Sequence, residues 1–170
     1  MASDAPLPAW PADGRFEGLG EFQAAVRQLL LAATARGARQ MVWSGLAFDA
    51  WPLEDADVLQ ALTAWGRPGH RRLKWVGQEF ERLRRDKPRL VTWRQQFAHV
   101  VRCRQPVEED AAHLPVALLV ADEALLLLHD ERHWRGRVST NVADLAAWQE
   151  RLDAILQRSS ETFPVTTLGI

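Results

Sequence analysis

The chain of 170 residues holds one cysteine, Cys103, two methionines and no tyrosine. A single thiol excludes an internal disulfide and a cysteine-based metal site, which agrees with a reducing compartment. No apolar run approaches the roughly 20 residues that span a bilayer. The longest is broken at Asp122-Glu123. The opening residues, Met1-Ala-Ser-Asp-Ala-Pro6, carry an acid where a secretory leader carries basic charge, and no apolar core follows. The expected location is the cytoplasm. Missing too are a Gly-rich phosphate loop, a Gly-x-Ser-x-Gly elbow and a dinucleotide fingerprint, Ser44-Gly45 being too short to count. No cofactor is expected.

What is present suits one soluble domain large enough to bury a core, with 47% apolar and 25% charged residues. Net charge is −1, but it is unevenly spread. Residues 1–66 hold 4 Lys/Arg against 8 Asp/Glu, residues 67–104 hold 12 against 3, and residues 105–170 hold 5 against 11. The basic centre is either an exposed anion-binding face or a surface neutralised by the acidic segments folding across it.

The stretch His113–Asp130 organises the rest. Apolar runs 116–121 and 124–128 flank Asp122-Glu123, the pattern of a buried β-hairpin closed by a two-residue acidic turn. One long buried helix is the alternative; Pro115, the polar pair and the short runs argue against it.

Residues 1–18, with Pro6, Pro8, Pro11, Gly14 and Gly18, are expected to form a surface arm without regular structure, pinned by Trp10 and Phe16. Residues 19–158 form the single α/β domain and 159–170 a loosely docked tail. Leu19, Phe22, Val26, Leu29, Leu30 and Ala33 have the spacing of one helical stripe, stopped by Gly37. A strand over 40–46 follows, then a helix opened by Pro52, Glu54, Asp55 and Asp57 with Val58, Leu59, Leu62 and Trp65 inward. The alternation over 72–77 predicts a strand near a sheet edge, because every other residue is basic or exposed.

Asp86-Lys-Pro88 splits the next segment into helices over 78–85 and from Pro88, the second burying Leu90, Trp93 and Phe97. Val100–Arg104 predicts a strand, Glu108–Asp110 an acidic loop, 129–140 a polar segment, and Asn141 the cap of a last helix carrying Leu145, Trp148, Leu152, Ile155 and Leu156. Helix and strand alternating to residue 104, then a hairpin and a closing helix, predict an α/β/α layered sandwich with a mixed sheet. Its parallel core has right-handed crossovers, and the hairpin adds antiparallel strands.

This order of elements resembles half of the phospholipase D-like superfamily over roughly residues 20–158, closest to short bacterial domains of uncharacterised function that have lost the catalytic signature. Enzymes of that superfamily carry His-x-Lys, four residues and Asp at the start of the hairpin, then a Gly-Ser-x-Asn stretch; the His attacks phosphorus and the Lys binds phosphoryl oxygens. With Asp122 as the family Asp, the His position falls on Pro115 and the Lys position on Ala117; with His113 as the family His, Lys falls on Pro115 and Asp on Val120. Neither register keeps a lysine. Ser139-Thr-Asn141 stands where Gly-Ser-x-Asn would, and serves as a helix cap. The resemblance thus implies a non-catalytic binding or assembly module, with pairing as a homodimer suggested by the way active halves are placed face to face. An enzyme that rebuilt the ancestral pocket, with His113 as nucleophile or base, and a domain working beside a partner protein are the alternatives. Arg102, His113, His129 and Ser139 are the residues a ligand site would draw on.

His129-Asp-Glu-Arg-His133 has the spacing of a zinc-binding His-Glu-x-x-His but places Asp130 where the Glu belongs, in poor helix context, and reads as a solvated loop. Trp65, Trp93 and Trp148 read as core, whereas Trp51 and Trp134 fall in loops and could stack on a base or sugar. With Arg67, Arg71, Arg72, Lys74, Arg82, Arg84, Arg85, Lys87 and Arg89 they would suit a nucleic-acid groove, although a pI near 6.5 lacks a dedicated binder's basic excess. Cys103, between arginines, reads as a packed thiol.

Overall fold

The computed structural model describes residues 4–164. The apolar stripe from Phe22 to Ala33 forms α1 (Leu19–Ala35). Its last turn closes as Gly37 adopts φ 67° and Ala38 donates its N–H to the Ala33 carbonyl at 3.0 Å. The next apolar runs give β2 (Gln40–Ser44), α2 (Ala56–Gly66) and β3 (Arg72–Val76), after a short β1 (Gly14–Phe16). Lys87 ends α3 (Phe80–Asp86) and Pro88 starts α4 (Pro88–Gln96), the break that proline imposes. There follow β4 (Val101–Gln105), α5 (Glu108–Ala111), β5 (Val116–Val120), β6 (Ala124–Asp130), β7 (Arg135–Ser139), α6 (Val142–Arg158) and β8 (Ser160–Glu161).

The eight strands make one mixed sheet in the order β1-β7-β6-β5-β2-β3-β4-β8. The core β2-β3-β4 is parallel and β5 joins β2 antiparallel, so the hairpin extends a parallel centre as expected. Helices α1 to α4 cover one face. There Phe22, Val26, Leu62, Leu83 and Leu90 pack on Met41, Trp43, Leu73 and Trp75. The other face is covered chiefly by α6, whose Leu145, Leu152, Ile155 and Leu156 pack on Val42, Val76, Ala117, Leu119, Leu125 and Leu127. The α/β/α layering is present.

Several local expectations are corrected. The proline-rich arm contains β1, which pairs with β7 and buries Phe16. The tail contains β8 and the buried Phe163; residues 165–170 lie outside the described residues. The polar segment 129–140 holds β7, because Arg135, Arg137 and Ser139 alternate with Gly136 and Val138, and Gly136 lets the Leu127 carbonyl and the Phe16 ring approach closely. The hairpin turn has three residues, Ala121–Glu123 in number, with Asp122 at φ 64°, a conformation aspartate tolerates. The acidic loop forms the single helical turn α5. Leu19, assigned to the buried stripe, is exposed.

Strand β3 is not an edge. It lies between β2 and β4, and its basic residues alternate because they share the thinly covered α6 face. Glu54, expected to start α2, accepts hydrogen bonds from the N–H groups of Arg89 (2.9 Å) and Leu90 (3.1 Å) and so caps α4.

Candidate anion-binding face

The basic centre divides according to the element that carries it. On α3 the cations have acids within a helical turn or, for Asp49, on the loop after β2. Arg82 meets Asp49 at 3.4 Å, Glu79 at 3.2 Å and Asp86 at 3.7 Å; Arg84 meets Glu81 at 3.1 Å and Arg85 meets Asp86 at 3.0 Å. Lys87 Nζ donates to the Trp51 carbonyl at 3.1 Å, and Arg71 donates to the carbonyls of Trp65 and Gly37 at 3.3 and 3.0 Å. These groups are committed to the fold.

On β3 and β4 the arrangement differs. Leu73, Trp75, Val101 and Cys103 point to the aromatic face, so Arg72, Lys74, Arg102 and Arg104 point to the other. Parallel pairing sets Lys74 beside Arg102, and Arg72 stands two residues before Lys74 on the same face. Arg72 and Arg102 are exposed and Lys74 half-buried. Among the described residues none of the three has an ion pair or side-chain hydrogen bond. Arg104 alone is held, donating to the Ser159 hydroxyl at 2.9 Å and carbonyl at 2.6 Å.

Lys74, Arg102 and Arg104 floor a cleft of about 490 Å³ between the strands and the C-terminal half of α6, with Asp153, Leu156 and Gln157 of α6 and Glu161 of β8 also lining it. Asp153 is already engaged by Gln149 Nε2 at 3.0 Å. At the N-terminal ends of β2 and β3 a second depression, of about 540 Å³, is lined by Arg39, Gln40, His70, Arg71 and Arg72. Arg72 is the cation that this depression shares with the shelf.

The four residues expected to form a ligand site do not converge. Arg102 belongs to the shelf. His113 is exposed in the turn between α5 and β5, and β3 and β2 separate β5 from β4, so Arg102 and His113 share no pocket. His129 is the penultimate residue of β6 and Ser139 ends β7, and both lie by Asp144 in the first turn of α6. Arg137 forks onto Asp144 with Nη2 at 3.0 Å and Nη1 closer, and holds its carboxyl below the usual carboxylate range; the Ser139 hydroxyl and the His129 charge add to this. Asn141 Oδ1 accepts from Asp144 N at 3.1 Å, the expected cap. This cluster anchors α6 to β7.

His129 and His133 are not presented by a helix. His133 Nδ1 lies 2.8 Å from Asp130 Oδ2, and Asp130 also accepts N–H groups of Arg132 and His133, a closed turn. The two loop tryptophans that could have stacked on a base or sugar face inward. Trp51 is buried, with its ring 4.9 Å from Phe48, and Trp134 is half-buried, 5.1 Å from Phe22.

A family described as Domain of unknown function (DUF7931) matches residues 22–166. The chain belongs to the DUF7931 family. A search of curated proteins finds no match. Among solved structures the DUF7931 chain resembles TrmBL2, an archaeal chromatin protein whose structure is described as showing a novel mode of DNA binding. The TM-score is 0.63 at 14% identity, covering 95% of this chain and 57% of that one. At that identity the likeness shows a shared fold, and the chain spans little more than half of its neighbour's length.

Chemically, the DUF7931 shelf offers two guanidinium forks and an ammonium on a rigid strand pair. Such groups match phosphate or carboxylate oxygens. In the sequence Arg72 and Lys74 belong to the same basic stretch as Arg82, Arg84 and Arg85. The signal that distinguishes them is spacing: i, i+2 on a strand against i, i+3 and i+4 next to acids on a helix.

Proposed function

We propose that this DUF7931 chain is a non-catalytic binding module whose β3–β4 face engages the phosphates of nucleic acid. The observation that carries the reading is the row of unpaired cations, Arg72, Lys74 and Arg102, on one rigid face. Like charges set side by side cost stability. A backbone that spaces phosphates repays that cost by releasing counterions. The likeness to an archaeal chromatin protein described as binding DNA supports nucleic acid over other polyanions. We also read the fold as a degenerate phospholipase D-like half. In its two registers the lysine position falls on Ala117, fully buried beneath α6, or on Pro115, whose carbonyl accepts the Ser44 hydroxyl at 2.7 Å. Neither position can offer a phosphoryl-binding ammonium.

Fluorescence anisotropy with duplex and single-stranded oligonucleotides at several salt concentrations tests the reading. Three phosphate contacts imply roughly forty-fold weaker binding between 50 and 200 mM salt. Arg72→Ala, Lys74→Ala and Arg102→Ala each lower the salt slope by about 1, and do so for any sequence. Absence of binding at low salt, or a triple variant that binds as the wild type does, would discard it.

A further inference from the structure

Beside the shelf, along the stretch of β4 that β8 leaves unpaired, lies a second cavity of about 370 Å³ between α4, β4 and the chain from Glu161 to Pro164. Arg94, Arg102, Cys103, Glu161 and Thr162 line it. Arg94 is 6% exposed, and among the described residues no carboxylate pairs with it. Its Nε donates to Cys103 Sγ at 3.2 Å and its Nη2 to the Phe163 carbonyl at 3.2 Å, while Nη1 is buried with no partner. A buried guanidinium without a counter-ion is costly, and a donor left unmatched beside it adds to the cost. Cys103 does not supply the missing charge. Burial pushes its thiol up against the opposing pull of Arg94, so it stays neutral at neutral pH.

Arg102 faces the same cavity from the other face of β4, exposed and without an ion pair among the described residues. The one acid on the rim, Glu161, is exposed. Two guanidinium groups on either side of one strand, with Thr162 also lining the cavity, suit a group with three acceptor oxygens better than a carboxylate with two. We infer that this cavity is a binding site for a single phosphoryl group, held by Arg94 from within and Arg102 from the rim. It adjoins the shelf through Arg102 but does not depend on the shelf binding nucleic acid.

Titrating inorganic phosphate into the full chain at constant ionic strength, with the melting temperature as readout, tests the site. Phosphate raises the melting temperature, as any ligand of the folded state does. Arg102→Ala weakens phosphate binding about tenfold, the loss of one charge-assisted contact. Arg94→Lys keeps the charge, loses the fork and weakens binding at least as much; the exposed Arg102 variant serves if the Arg94 one fails to fold. Arg72→Ala removes a shelf residue that does not line the cavity and leaves the phosphate response intact, so failure of the shelf and failure of the cavity are told apart. A 5′-phosphorylated oligonucleotide competing better than its unphosphorylated form identifies a nucleic-acid end as the source; equal competition identifies a free small phosphate. No phosphate-dependent rise at low salt, Arg102→Ala with wild-type affinity, or acetate binding as tightly as phosphate would overturn the assignment.

Discussion

The arginines of α3 and the cations of β3 and β4 come from one continuous basic segment, yet their surroundings are opposite. A surface helix brings residues three and four apart together, and in α3 those positions alternate Arg82, Arg84 and Arg85 with Glu79, Glu81 and Asp86. Neutralisation there is local. A parallel sheet instead brings together residues distant in sequence, and register places Lys74 beside Arg102 with no acid between them. Helix-borne charge is therefore mostly solvated structure, whereas strand-borne charge is like facing like. Positions that break local consistency in this way are where function is to be sought.

The contrast requires the sheet to be a fixed frame, sealed on the aromatic face and open on the other. The hardest blow to it is therefore Trp43→Ala, which empties a fully buried site packed on Trp75 at a ring distance of 5.1 Å. It costs about 3–5 kcal/mol in urea unfolding. A loss under about 1 kcal/mol would mean that the aromatic layer does not hold the frame. On the open face α6 depends on its start, so Asn141→Ala, removing the side-chain cap on Asp144 N, costs about 1 kcal/mol. An unchanged unfolding midpoint would show that packing alone holds the helix.

A smaller effect appears only in acid. Arg137 holds Asp144 below its ordinary value, so the carboxylate's contribution is complete above the unfolded aspartate pKa of about 3.9 and is lost as pH falls through the lower folded value. Thermal melts of wild type and Arg137→Ala should differ at neutral pH and draw together below about pH 4. A gap that stays constant with pH would assign the pair's role to packing rather than charge. The smallest change sharpens the opening contrast directly. Arg82→Ala and Lys74→Ala each shift stability by no more than about 0.5 kcal/mol, the former downward and the latter neutral or upward. Only Lys74→Ala lowers nucleic-acid affinity. Equal losses of affinity from both would erase the distinction between helix and strand cations.

Much of the frame was legible in the chain. The helical stripe ending at Gly37, the break at Asp86-Lys-Pro88, the hairpin flanking Asp122 and the cap at Asn141 each rest on interactions within a few residues, and each appears in the fold. The candidate site was legible only as composition. Arg102 was singled out and belongs to the shelf, but His113 lies apart from it, and His129 and Ser139 serve the anchor around Asp144. The short strands β1, β7 and β8 escaped notice because they are polar and brief, and become strands only when a partner edge completes their hydrogen bonds.

By itself the sequence determined the α/β alternation, the buried hairpin, the absence of lysine at either hairpin register and the surplus of positive charge at the centre, because periodicity, proline, glycine and composition act over short spans. Tertiary structure alone decided which positive charges are spent and which stay available. Strand order put β3 inside the sheet, register set Lys74 beside Arg102, and packing buried Arg94 without an anion. Those outcomes depend on contacts between residues far apart in the chain, and no local pattern encodes them.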